Sequence, residues 1–338
     1  MSMRCILSIG VLSLLLFPAR LFGVTIQFDY SFDTNRLVTG YREQFDFVAA
    51  ELEAWIHDDL LAITVPPTSI IHPSTGEYVS LGQTVHVPAD TIIVYVGAYD
   101  LPGNRLAQAY FDFSSTPNNR GQSAMDLGIW TGSISFDSLT NWQEYHIYSV
   151  LRHELLHVLG LGLAPSFFAQ VSNAQFLGPV ATAEYGRPVP LSTDLLHLAV
   201  DRSISLLDGW PREPAMSASL SPFERRYLTR LDLAVLADLG WEIDLPPLVA
   251  GDYNDDGAVD TADYVFWRRN VGTTNGLRND TTGVSVIGAA QYNLWRANFG
   301  KPTNSSLNTT HVPEPTALTL ALILIAVGAV RGSMYLQR

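Results

Sequence analysis

The segment HELLHVLGLG, residues 153–162, constrains the fold more than any other part of the chain. The residues before it, EYHIYSVLR, continue the same helical spacing, and the helix is expected to end at Gly160. Apolar residues surround the histidines, so the helix is predicted to be buried; these residues are Val150, Leu151, Leu155, Leu156 and Val158. A buried helix that carries polar side chains of this kind is typical of an active site.

The spacing of the polar residues in this segment predicts a zinc site. Positions i and i+4 lie on one face of a helix, so His153 and His157 can present ring nitrogens to one metal ion. Glu154 lies one step round the helix, beside the metal, where a general base must lie to deprotonate a zinc-bound water. His153 and His157 are therefore predicted zinc ligands, and Glu154 is the predicted catalytic base.

The third zinc ligand lies outside this segment. A catalytic zinc site takes three protein ligands, but Leu163 stands where the compact form of the motif has its third ligand. His197, in STDLLHLAVDRS, is the downstream candidate. A competing zinc architecture takes a glutamate from a following helix. Glu184 is then the near candidate, although TAEYGRP around it has no helical pattern.

A methionine further along the chain supports His197. Met216 lies in the turn-like stretch REPAMSASLSP and is followed by the helical pattern TRLDLAVLADLGW. This order of motif, insertion, histidine, methionine and helix resembles the leishmanolysin-type branch of the metzincins, and also secreted bacterial zinc metalloproteases. The resemblance covers residues 24–246. It implies His153, His157 and His197 as zinc ligands, with Met216 as the apolar floor below the metal.

Other patterns in residues 24–246 predict an α+β fold with a mixed sheet, an active-site helix and a C-terminal helix. VTIQFDY alternates as a strand does, TIIVYVGAY is a continuous apolar run typical of a buried strand, and YREQFDFVAAELEAWIHDDL has helical spacing. GSISFDS, residues 132–138, precedes the zinc helix. By resemblance, it is predicted to be the edge strand that pairs with an extended peptide substrate.

A calcium loop is predicted in residues 252–263, DYNDDGAVDTAD. Oxygen-bearing side chains stand at loop positions 1, 3, 5, 9 and 12, and Gly257 stands at position 6, where the loop turns sharply. The predicted ligands are Asp252, Asn254, Asp256, Asp260 and Asp263, with the carbonyl oxygen of Ala258. With the helix YVFWRRNVG after it, the loop resembles a type I dockerin repeat.

A second repeat, YNLWRANFG, follows YVFWRRNVG at a spacing of 28 residues. Its loop keeps Asp280 but has lost the other acidic ligand positions, which are now Thr282, Val284, Gly288 and Gln291. One calcium ion, rather than two, is therefore predicted for residues 247–301, an all-α EF-hand-like module with Trp267 and Trp295 in its core. The resemblance implies a cohesin partner; the alternative is a calcium-stabilised spacer.

Both ends of the chain carry apolar runs that predict export. Residues 1–23 have the pattern of a signal peptide. Residues 302–311 are a polar linker, and residues 312–338 join VPEP, a short hydrophobic helix and a basic tail. That order resembles the PEP-CTERM sorting signal, which implies exosortase processing and delivery to the surface, matrix or outer envelope of a bacterium. The alternative is a plain tail anchor, with membrane contact through this tail alone.

Composition narrows the possible functions. The one cysteine, Cys5, lies in the predicted signal peptide, which excludes cysteine-ligated zinc from the mature chain. The formal net charge of −13 makes nucleic acid an unexpected partner, because nothing would neutralise its phosphates. The sequence thus predicts an exported zinc endopeptidase. The alternatives are a non-catalytic adhesion protein that keeps a protease-like fold, and a zinc hydrolase acting on a non-peptide bond.

Overall fold

The computed structural model describes residues 23–112, 128–245, 248–254, 256–274 and 276–301. The predicted linker and sorting signal lie outside these ranges, and so does the predicted signal peptide except for Gly23. The described residues up to Lys301 belong to one compact unit. Within these ranges, no helix combines the length and the apolar character that a membrane span requires.

The fold is α+β, as predicted. Thirteen strands are described: β1 (Thr25–Asp29), β2 (Ile63–Val65), β3 (Ser69–Ile71), β4 (Tyr78–Ser80), β5 (Val85–Val87), β6 (Thr91–Tyr99), β7 (Ala107–Asp112), β8 (Thr131–Asp137), β9 (Val171–Ser172), β10 (Gln175–Phe176), β11 (Val189–Pro190), β12 (Ser203–Ile204) and β13 (Pro211–Arg212). The described α-helices are α1 (Arg42–Glu53), α2 (Ile147–Val158), α3 (Pro165–Phe168), α4 (Pro179–Tyr185), α5 (Arg230–Leu239), α6 (Thr261–Asn270) and α7 (Ala289–Asn298).

The main sheet is mixed and has the strand order β1–β6–β8–β7. β6 runs parallel to β1 and to β8, and β7 runs antiparallel to β8. The prediction that TIIVYVGAY is a buried strand is confirmed, because β6 lies inside the sheet and is buried along almost its whole length.

The prediction that GSISFDS is the edge strand is wrong. β8, which contains most of it, lies between β6 and β7 and is buried at every residue. Its small residues let a helix approach the strand closely: a Cβ atom on Gly132 would lie only 2.7 Å from Val158 in α2. The small residues of GSISFDS therefore mark close packing against α2, and β7 forms the edge of the described sheet.

Helices α1 and α2 cover one face of the sheet and form its main core. Their apolar stripes meet the inward side chains of β6 and β8; the buried residues include Phe45, Val48, Leu52, Val94, Val96, Ile134, Phe136, Leu151 and Leu155. The short hairpins β2–β5 and β3–β4 supply a second, smaller core around Tyr95 and Trp130. With both faces covered, the sheet holds α2 rigidly.

The end of the predicted peptidase domain, residues 24–246, is paired with the residues that follow α1. Ile56 forms a bridge with Ile243, and the backbone N–H of His57 donates to the carbonyl oxygen of Glu242. The buried carboxylate of Asp58 accepts from the backbone N–H of Glu242 at 2.8 Å. Burial raises the pKa of Asp58 to about 6, while this hydrogen bond works in the opposite direction.

Replacing Asp58 by asparagine is expected to stabilise the fold at pH 8 and not at pH 4. The unfolded chain ionises this carboxyl near pH 3.8 and the folded chain near pH 6, so the wild-type free energy of unfolding falls as the pH rises through that window. The difference corresponds to at most about 3 kcal/mol. Chemical unfolding at both pH values measures it, with the exposed neighbour Asp59→Asn as control. Equal effects of Asp58→Asn at the two pH values would contradict the expectation.

Residues 248–301 form a small helical module with its own core. Tyr253, Leu277 and Ile287 are fully buried there, and helices α6 and α7 pack around them. Trp267 and Trp295, which were predicted in this core, are half-buried at its edge. Each indole N–H donates to a backbone carbonyl, which accounts for the position of both rings.

Candidate metal centre

Three histidines from two separate segments meet at one point of the fold. His153 and His157 lie one turn apart on α2, and their ring centroids are 4.8 Å apart. The His197 ring lies 5.0 Å from the first and 5.2 Å from the second. One ligand atom from each lies within 4.8 Å of the others. Among the described residues, these three side chains form the group of His, Cys, Asp or Glu that is compact enough to hold a metal ion.

Gly162 allows the two segments to approach each other. Its φ of 73° lies in the left-handed region, and a Cβ atom there would lie 2.3 Å from the carbonyl oxygen of Leu196. The loop that ends in His197 therefore passes directly over the chain that leaves α2. The second glycine of HELLHVLGLG brings the third histidine to the other two.

Hydrogen bonds at the Nδ1 atoms orient all three rings. Nδ1 of His153 contacts the carbonyl oxygen of Ala215 at 2.9 Å, and Nδ1 of His157 contacts that of Leu161 at 2.8 Å. A carbonyl oxygen can only accept, so both Nδ1 atoms carry the proton and both Nε2 atoms carry a lone pair. Nδ1 of His197 lies 2.8 Å from a carboxylate oxygen of Asp194. Each Nε2 atom is thereby available to a metal.

The electrostatics of the site favour neutral imidazoles. Burial, reinforced by His197 and Arg226, lowers the pKa of His153 to about 4. Burial and the neighbouring histidines also lower the pKa of His157. Metal ligation requires the unprotonated ring, so the rings of His153 and His157 can accept a metal ion well below neutral pH.

Glu154 stands out among the buried carboxylates of the described chain. It is 4% exposed, and its Oε2 atom has no hydrogen-bond partner among the described protein atoms. Burial raises its pKa to about 8. An unsatisfied, buried carboxylate oxygen costs stability, and such groups concentrate at functional sites. Its position next to the histidines fits a base that works on a bound molecule.

The histidines and Glu154 line a cleft of about 710 Å³. Its lining also includes residues 104–110, which contain most of β7, and residues 217–220. The edge of the described sheet therefore borders the cleft.

Met216 is fully buried, and its backbone supports two of the histidine segments. The residues Pro214–Ser217 form a turn closed by a hydrogen bond from Ser217 N–H to the Pro214 carbonyl. The carbonyl oxygen of Met216 accepts from Leu198 N–H, next to His197. The Ala215–Met216 peptide group accepts from His153 at its carbonyl oxygen and donates from its N–H to Asp232.

Three residues of the motif TRLDLAVLADLGW hold neighbouring segments in place: Asp232, Asp238 and Trp241. The buried carboxylate of Asp232 accepts from the backbone N–H groups of Ala215, Met216 and Thr229. Asp238 accepts from two N–H groups at the start of α4. The indole of Trp241 donates to the carbonyl oxygen of Leu159, just after α2. Asp232 was not predicted from the sequence. The pattern that marks it is a threonine N-cap, Thr229, followed three residues later by an acidic residue.

The structure places Glu184 apart from the histidines. Its two carboxylate oxygens accept from Arg230 at 2.8 and 2.9 Å. The expectation that TAEYGRP is not helical is wrong, since its first four residues belong to α4, which ends at Gly186 in the left-handed conformation. Glu184 thus lies on a helix, as the competing zinc architecture would require, but its carboxylate forms an ion pair with Arg230.

Asp194 is a second residue that sequence reasoning missed. Burial acts to raise its pKa, but hydrogen bonds from Ser192, from the backbone of Leu196 and from His197 lower the pKa to about 2. The group is therefore a permanent carboxylate beside His197. Its signal in the sequence was an aspartate three residues before a candidate ligand.

Replacing Asp194 by asparagine is expected to weaken zinc binding by about 10–100-fold, because a carboxylate behind a ligand histidine orients the ring and raises its basicity. Competition with a chromogenic chelator measures the affinity. The exposed aspartate Asp201, changed to asparagine, serves as control. An unchanged affinity in Asp194→Asn would show that the contact does not act on the ligand.

The predicted calcium ligands occupy a loop that turns at Gly257, whose φ is 89°. Asp252 and Asp263 are buried and accept from backbone N–H groups of the loop. Asp256 and Asp260 accept from N–H groups two residues further on. The carboxylates of this loop do not come together as closely as the histidine nitrogens do, within the part of the chain that is described.

No protein-family model matches this chain, and no curated protein matches it.

Proposed function

We propose that the chain is a zinc-dependent endopeptidase of the metzincin type. The observation that carries the proposal is that three histidines each bring a ring nitrogen to one point of a cleft, which is also lined by Glu154, a buried carboxylate whose Oε2 atom has no partner among the described atoms. A mixed sheet, a buried helix with two of the ligands, a methionine turn and a following helix support the same assignment.

Zinc fits the three histidines. The donors are all imidazole nitrogens, their number leaves one coordination position open, and their Nδ1 atoms are held by outer partners, as is usual for ligating histidines. When bound, zinc polarises a carbonyl group and lowers the pKa of water. His153, His157 and His197 would hold it.

Glu154 is the proposed general base. Its Oε2 atom accepts a proton from the attacking water and later donates it to the leaving amine, so the carboxyl returns to its starting state after each cleavage. Burial alone holds the pKa of Glu154 near 8, and a dication beside it favours the ionised form. The group can therefore act as a base near neutral pH.

An extended peptide is the proposed substrate. β7 is the edge of the described sheet, and its residues 107–110 line the cleft. A peptide can add to such an edge through main-chain hydrogen bonds. We therefore assign to β7, rather than to GSISFDS, the role of the edge strand that pairs with the substrate.

We further propose one calcium ion for the loop 252–263 and a dockerin-like character for the module. The ligands would be those named from the sequence: Asp252, Asn254, Asp256, Asp260, Asp263 and the Ala258 carbonyl. Oxygen ligands at these positions are what calcium prefers. A cohesin-like partner, export, and surface sorting by an exosortase are proposed on the sequence alone.

Metal content and proteolysis, measured together on the full chain, test the main proposal. Elemental analysis is expected to find one zinc per chain, and denatured casein is expected to be cleaved. A chelator should stop cleavage, and added zinc should restore it. A chain that binds zinc stoichiometrically but cleaves neither casein nor a peptide library would support the adhesion protein or the non-peptide hydrolase, and peptidoglycan fragments would distinguish those two.

A further inference from the structure

The second loop of the module, residues 280–291, is closed by a side chain. The carboxamide nitrogen Nε2 of Gln291 lies 3.0 Å from a carboxylate oxygen of Asp280 and 2.9 Å from the hydroxyl of Thr282. It also lies 3.0 Å from the carbonyl oxygen of Val284. Gln291 is fully buried. One nitrogen therefore sits among three oxygens from three positions of the loop.

Those three residues occupy the first, third and fifth positions of the twelve-residue loop. In the first loop the same positions hold Asp252, Asn254 and Asp256, which are predicted calcium ligands. An N–H group resembles a cation in one respect, since it presents positive charge to oxygen atoms. The carboxamide nitrogen of Gln291 thus lies where the loop oxygens converge.

The other atom of the Gln291 carboxamide repeats a contact of the first loop. Oε1 accepts from the backbone N–H of Gly288 at 2.8 Å. In the first loop, a carboxylate oxygen of Asp263 accepts from the backbone N–H of Asp260 at the same distance. The residues at loop positions 9 and 12 are therefore joined by the same contact in the two loops. The other oxygen of Asp263 accepts from the backbone N–H groups of Tyr253 and Asn254, whereas the nitrogen of Gln291 donates to loop oxygens.

The residues that lead into this second loop also join the module to residues 24–246, the proposed catalytic unit. The backbone N–H of Asn279 donates to the carbonyl oxygen of Gly209 at 2.9 Å. The side chain of Asn279 donates to the carbonyl oxygen of Asp252 in the first loop. The guanidinium of Arg278 lies over the ring of Trp210, 5.8 Å from its centroid. The second loop is therefore continuous with the attachment point of the module.

We propose that Gln291 is an internal replacement for the second calcium ion. Its carboxamide keeps loop 280–291 in the closed form without any metal, and so keeps the module attached to the catalytic unit when calcium is absent. The module would then have one half that responds to calcium and one half that does not. The proposal extends the assignment of one calcium to the first loop, and the two can fail separately.

Hydrogen exchange on the full chain, with calcium and with a chelator, tests this division. The amides of Gly257 and Asp260 are expected to lose protection in the chelator, and those of Asn279 and Gly288 are expected to keep it. Gln291→Met, which keeps the volume and removes the amide, should remove protection at Gly288 in both conditions. The control is Gln170→Met, which removes a hydrogen-bonded carboxamide from the catalytic unit.

A gain of metal binding provides the independent measurement. Calorimetry is expected to find one calcium per wild-type chain and two in the triple variant Thr282→Asn, Val284→Asp, Gln291→Asp. Two calcium ions in the wild type, chelator-sensitive protection at Gly288, or a triple variant that still binds one ion would each overturn the proposal. A wild type that binds no calcium while Gly288 stays protected would refute the first-loop site and leave Gln291 in its proposed role.

Discussion

Replacing Glu154 by glutamine is expected to leave zinc binding intact and to slow peptide cleavage by about a thousandfold, within the range typical of a lost general base. The side chain is not one of the three that gather their ligand atoms, so the metal should stay. Glutamine keeps the shape and the burial but cannot accept the proton. The change removes one chemical step while the cleft keeps its form.

Zinc content and casein cleavage should be measured on the same samples of this variant. Glu43→Gln, an exposed glutamate on α1, is the matched control and should behave like the wild type. Loss of zinc in Glu154→Gln would make Glu154 a ligand instead of a base. Full activity with zinc bound would assign the proton transfer to another group and refute the proposed mechanism.

Replacing His197 by alanine is expected to remove both zinc and activity. The two remaining histidines lie on one helix and offer two nitrogens, whereas a catalytic zinc site takes three protein ligands. The affinity should fall by more than the roughly 100-fold that is lost when an outer partner of a ligand is removed. The fold should persist, because the His197 ring lies at the cleft and the main core lies between the sheet and the helices.

Glu184→Gln is the variant that separates the two zinc architectures. It should keep zinc, and it should lose stability because Arg230 loses its charged partner. Dialysis against zinc followed by elemental analysis, together with thermal unfolding, measures both properties. Zinc retained in His197→Ala and lost in Glu184→Gln would reverse the assignment of the third ligand.

The spacing of apolar residues predicted an element correctly where that element is buried along most of its length. It predicted the helix α2 and the buried strand β6. The predicted helix from residue 41 to 60 was too long: α1 ends at Glu53, and the buried Leu60 lies beyond it. An apolar residue at helical spacing can be buried by a different element.

Contacts between distant segments were beyond sequence reasoning. GSISFDS was assigned to the sheet edge by resemblance, but β8 is buried at every residue because it lies between β6 and β7 and α2 approaches Gly132 closely. Asp194 and Asp232 were not predicted, because their roles depend on which groups the fold brings to them. Gln291 read only as a lost ligand, although its carboxamide joins three loop positions.

The contact between Asp232 and the Ala215–Met216 peptide group has a consequence for the order in which the site can form. Two of the proposed ligands come from α2, the third comes some forty residues later, and the carboxylate that fixes the backbone behind His153 comes later still. A nascent chain that ends before residue 232 has the three histidines but lacks Asp232 and the helix α5 that carries it. If the proposed site binds zinc, we expect zinc to bind only after α5 has been synthesised, and a chain that ends before α5 is expected to lack both metal and activity.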